Sequence, residues 1–204
     1  MAAEDEIQAA VDNAFTWVRR VYRESHALLN EATEALRQHG MDSWERESET
    51  FFGADTAYLI VRYFSTRDEM EADRAVDLFL GVSLYPDTRH PRGTGACVVA
   101  GTSKRSRSVI PFMGKVVNAA ARAPKTDDLF RIVSAPDDPV IVCLPDDAGR
   151  KAFPGIDEVR SAIVPLTRFR SSSDLDSLAN ALVDMRNGDE GVLRELLVNV
   201  RGTT

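Results

Sequence analysis

Between residues 5 and 38 the apolar positions Ile7, Val11, Ala14, Val18, Val21, Leu28 and Ala32 follow one another at steps of three, four or seven. Phe15, Tyr22, Leu29 and Leu36 widen that line into a stripe, and the spacing predicts one long amphipathic helix. Ser25 interrupts the seam, and Gly40 supplies a stop after it. At 1.5 Å per residue such a helix is about 50 Å long, whereas a compact domain of this chain length is about 40 Å across. The helix therefore either breaks near Ser25 and His26 or projects and packs against something else. A second copy of the chain is the simplest partner, so a homodimer is expected, with residues 1–40 as its dimerisation element.

The period then shortens. The stretch "TAYLIVRYFS" at 56–65 is apolar on both faces, as a central strand should be. A charged loop leads to "AVDLFLGVSLY" at 75–85, where Val76, Leu78, Leu80, Val82 and Leu84 share one face and Asp77 and Ser83 the other. The Pro- and Gly-rich turn "PDTRHPRGTG" precedes a third strand from about Ala96 to Ala100. These three strands predict an antiparallel meander. A Ser/Thr/Lys/Arg loop follows, then a helix over 109–122 with Pro111 in its first turn. Short strands are predicted at 140–145 and 162–166, bracketing a short helix near 156–161. Two helices close the chain, the first capped from Ser172–Asp174 and the second, "GVLRELLVNV", beginning after the breaker Gly188. The expected fold is one α+β domain over residues 1–204: a long N-terminal helix, a three-stranded antiparallel meander, then a helix, further short strands and C-terminal helices.

Composition changes this picture little, with 44% hydrophobic and 28% charged residues in 204. No apolar run is long enough to cross a bilayer. The first residues, "MAAEDEIQAA", are the opposite of a secretory leader, so a cytoplasmic, membrane-free protein is expected. Cys97 and Cys143 lie in β-branched runs and read as small buried hydrophobes. His26, His39 and His90 are scattered without metal-ligand spacing, and neither a metal nor a cofactor is expected.

Charge changes it more. The net charge is −7, yet residues 88–125 contain eight Lys or Arg and no Asp or Glu. Such sign asymmetry marks a candidate surface for an anionic partner. Inside it, "GTGACVVAGTSKRSRS" has the look of a phosphate loop. The five residues between Gly95 and Gly101 are "ACVVA", however, and Lys104 comes three residues after Gly101 instead of directly behind it. "ACVVA" extends and gives its N–H groups to a sheet, so the phosphate loop is rejected. What remains is a strand-to-helix loop with Thr102, Ser103, Lys104, Arg105 and Arg107, and Arg89 and Arg92 in the turn before the strand. These seven residues are the expected anion-binding set. About 20 Å of strand separates the two groups, so their partner is an extended polyanion or an acidic protein surface.

The expected function is a non-catalytic binding module with that basic surface. Two alternatives rest on element order. The order is similar to the core of the PD-(D/E)xK nucleases, for which Asp77 or Asp87 could supply the first acid. The third strand offers no acid before Lys104, so a metal site of that kind lacks its second hard ligand. Asp146-Asp147 and Asp137-Asp138 flank the strand at 140–145 and fit turn roles beside proline. The order also resembles the small acidic dimeric chaperones of type III secretion, which hold an unfolded client along apolar surface.

Overall fold

The structure, a computed structural model, describes residues 2–43, 48–52, 57–70, 72–85, 95–106, 129–135 and 138–198. The predicted helix over 109–122 and the candidates Arg89, Arg92, Arg107, Asp87 and Asp137 lie outside these residues, as does His90. The elements in order are α1 (Ala2–Gln38), β1 (Asp42–Ser43), β2 (Ser48–Phe52), β3 (Ala57–Ser65), α2 (Arg67–Met70), β4 (Ala75–Tyr85) and β5 (Gly95–Arg105). They continue with β6 (Phe130–Ile132), β7 (Val140–Pro145), α3 (Asp147–Ala152), β8 (Ile156–Pro165), a short 3-10 turn, α4 (Ser172–Arg186) and α5 (Gly191–Val198). This is an α+β architecture, with a leading helix, an antiparallel sheet and closing helices.

Eight strands form one sheet in the order β1-β3-β4-β5-β8-β7-β6, with β2 also paired to β3. The expected meander β3-β4-β5 is present. A second meander, β6-β7-β8, joins it through antiparallel pairing of β5 with β8. The longest pairing runs from Ala75 opposite Arg105 to Tyr85 opposite Gly95. That register sends alternate residues of β4 to opposite faces. Leu78, Leu80 and Val82 pack under the helices with Leu29, Leu36 and Leu182. Phe79 points to the other face with Val61, Val99, Ile141, Phe153 and Val159.

Two sequence expectations need correction, and one open choice is decided. The third strand does not stop at Ala100 but runs to Arg105, so Thr102–Arg105 belong to a strand and not to a loop before a helix. No helix forms at 156–161, because those residues begin β8 and pair with Gly101–Arg105; the short helix is α3, which starts nine residues earlier in the chain. Of the two outcomes open for the first helix, a break at Ser25-His26 or an unbroken run, the second holds: α1 is continuous from Ala2 to Gln38. It ends where His39 and Met41 donate to the Leu36 carbonyl and Gly40 takes φ 74°, a left-handed conformation that glycine adopts without cost.

Gly101 has a packing reason of its own. A Cβ at this position would collide with the Arg160 carbonyl of β8 and come within 2.8 Å of the Phe79 ring. The residue lets β8 and the Phe79 ring close over β5 from two sides. Gly101→Ala is expected to cost about 1–3 kcal/mol, the range for overpacking a full core, read as a lower thermal midpoint. An unchanged midpoint would contradict this packing.

Candidate functional site

Arg105, one of the seven expected anion-binding residues, is inside the protein. Its side chain is 1% exposed. Alternation along β5 puts Arg105, Ser103 and Gly101 on the face opposite the helices, and the register sets Ser103 beside Asp77 and Arg105 beside Ala75. Arg105 therefore sits diagonally from Asp77, within reach of a long side chain. Its Nε donates to Asp77 Oδ2 at 2.7 Å, Nη1 to the Ala72 carbonyl at 2.6 Å, and Nη2 to the Glu69 carbonyl. The guanidinium thus satisfies carbonyls at the end of α2 and in the turn before β4, which the short helix leaves without intrahelical partners.

The same turn is held from the helix layer. Arg186 of α4 donates to the Val76 carbonyl at 3.0 Å and pairs with the Glu69 carboxylate, which also accepts from Thr66 Oγ1 at 2.7 Å. Glu69 is therefore gripped twice, by Arg105 through its backbone and by Arg186 through its side chain. Burial pushes the Asp77 carboxyl above its ordinary pKa, with Arg105 offsetting part of that shift and the nearby Ser65 hydroxyl a smaller part. Asp77 Oδ1, Ser65 Oγ and Tyr63 Oη, all on this face, are buried without a well-formed hydrogen bond among the described residues. Burial alone drives the Tyr63 hydroxyl well above the ordinary tyrosine value.

The other sequence candidates separate accordingly. Thr102 and Ser103 are buried strand residues, and Lys104 is exposed on β5 opposite Val76 and Glu158. The structure thus does not gather the anion-binding set at a helix mouth. Among its described members, Lys104 presents its charge to solvent and Arg105 turns its charge inward. Asp146 caps α3, accepting from the Gly149 N–H at 2.7 Å, which accounts for the Asp146-Asp147 pair as local structure. Asp138 belongs to a surface network in which Arg194 pairs with Asp138 and Glu190, and Arg160 with Glu158 and Glu190. It ties α5 to β8 and to the start of β7. No group of three His, Cys, Asp or Glu among the described residues is arranged to hold a metal ion.

The long helix carries the remaining unusual surface. Ser25, Leu29, Ala32 and Leu36 are buried against the domain, and full burial of a leucine contributes about 1.5–3 kcal/mol. Toward the N-terminus, Ile7, Val11 and Phe15 on the same face are exposed, by 65%, 41% and 64%. The spacing of these residues was legible; the change from exposed at Phe15 to buried at Ser25 was not.

No protein-family model, no curated protein and no solved structure matches the chain. The site is therefore argued from its geometry.

Asp77 and Lys104 separate the two roles within this one neighbourhood. Asp77→Ala removes the carboxylate that faces a buried guanidinium and should cost about 3–5 kcal/mol. Lys104→Ala, at an exposed position, should change stability by no more than about 0.5 kcal/mol. Denaturant unfolding of both variants checks the contrast, and equal effects would contradict it.

Proposed function

We propose that this protein is a non-catalytic interaction module whose contact element is the projecting part of α1. One observation carries the reading: Ile7, Val11 and Phe15 stand exposed on the helix face that is buried further along the chain. Apolar side chains aligned in water at helical spacing lose hydrophobic stabilisation that a partner would restore. The sheet and its helices act as the platform, with the Arg105–Asp77 pair fixing the end of β5. We read the working compartment as the cytoplasm, where the two free thiols, Cys97 and Cys143, stay reduced.

Of the basic surface, Lys104 remains as a described, solvent-facing cation, and it stands across the sheet from Glu158. The helix, and not the basic segment, is therefore the contact element. An anionic partner would bind in a salt-sensitive way through Lys104, whereas a helix-borne contact is apolar and survives moderate salt.

Affinity capture with the tagged full chain, untagged chain included, separates these readings. Ile7→Asp/Phe15→Asp is expected to lose the captured species, at least tenfold, while Lys104→Glu keeps them. Capture unchanged by the helix variant would overturn the reading. Capture lost only with Lys104→Glu would return the contact to the basic strand.

A further inference from the structure

The last helix is held to the domain partly by charge. Leu193 and Leu197 of α5 are buried in the helix-side core, while Val192 and Glu195 are exposed. Eight residues are too few for a helix that stands alone in water, so α5 forms only while it is docked. Its link to α4 does not fix it. Asn187, Gly188 and Asp189 are exposed, and the chain turns at Gly188 with φ 96°. The Gly188 N–H donates to the Met185 carbonyl and the Asp189 N–H to the Asp184 carbonyl. Both bonds close the end of α4, and neither reaches the sheet.

Two ion pairs do reach it. Charges alternate along one line, Glu158, Arg160, Glu190, Arg194 and Asp138, that crosses from β8 to the start of β7. Arg160 of β8 pairs with Glu190, the residue just ahead of α5. Arg194 of α5 holds both carboxylate oxygens of Asp138, at 2.5 and 3.3 Å. Asp138 also accepts from the Val140 N–H at 2.9 Å, which fixes that carboxylate to the first residue of β7. Glu190 accepts from both arginines, so the two ties act as one. The arginine side chains are 36% and 37% exposed, within reach of dissolved ions.

We infer that α5 is a strap that opens as a unit while the rest of the fold stays closed, and that this line of charges sets how often it opens. Gly188 is the pivot, beyond the closed end of α4. Leu193 and Leu197 hold the strap shut at rest. They leave together, because a helix this short unwinds once undocked. Opening uncovers the apolar cluster that these two leucines complete, so ionic conditions govern how much of it meets water. A lone surface ion pair contributes little, but bidentate arginine pairs joined in a network contribute more. The Arg105–Asp77 pair supplies an internal control: its side chains are 1% and 4% exposed, out of reach of salt.

Native-state hydrogen exchange of the full chain in sodium chloride tests the inference. Between about 0.05 and about 0.5 M salt, amides of residues 194–197 should exchange about three- to tenfold faster. Amides of residues 98–105 should keep their rate. Arg194→Gln should show the faster α5 exchange already at low salt and lose most of the salt response. If α5 amides exchange only as slowly as residues 98–105, the helix opens with the whole fold and the strap is overturned. A wild-type rate that ignores salt, or a salt response undiminished in Arg194→Gln, would overturn the control by charge.

Discussion

The guanidinium of Arg105 cannot leave the interior without taking a donor from the Asp77 carboxylate and from the carbonyls of Glu69 and Ala72. That constraint fixes four elements at once. Asp77 holds it from β4, the carbonyls of Glu69 and Ala72 hold it from α2 and the following turn, and Arg186 reaches the same Glu69 from α4. A buried ion pair contributes little net stability compared with apolar residues of the same shape, yet breaking one is expensive. Its value here is positional. It sets the end of β5 against the turn that starts β4, so the strands keep the register in which β5 also pairs with β8.

That register decides which of the basic residues meet solvent. Consecutive side chains of a strand point to opposite faces, so neighbouring cations at 104 and 105 have opposite fates: Lys104 outward, Arg105 into the sheet's second face. The excess of cations in the sequence was thus partly a structural device for pairing with Asp77. With Arg105 occupied, the strongest unexplained surface lies on α1. Its buried half anchors the helix to the domain, and its exposed half continues the same face into solvent. Fold and proposed contact are consequently two halves of one amphipathic pattern.

The long helix, β3, β4, β7 and the two C-terminal helices could be read from their apolar pattern alone, because each carries a sustained apolar line, broken in the long helix at Ser25. β5 was read too short because "GTSKR" has the composition of a loop. Its strand character comes from neighbours far along the chain, Asp77 for Arg105 and the β8 backbone for Gly101. β8 was misread for a related reason. The charges of Asp157, Glu158 and Arg160 hide the alternation of Ile156, Val159 and Ser161 as buried positions around a bulge. The stripe of the candidate contact was visible in the sequence. Where it stops being core and becomes surface depends on where α4 and the sheet end, and no local pattern encodes that.

Hydrogen exchange across α1 and β5 of the isolated chain tests the account most directly. The account predicts that backbone amides of residues 6–15 exchange much faster than those of residues 29–36, while those of residues 97–105 are strongly protected. Equal protection along the whole of α1, or rapid exchange around Arg105, would contradict it.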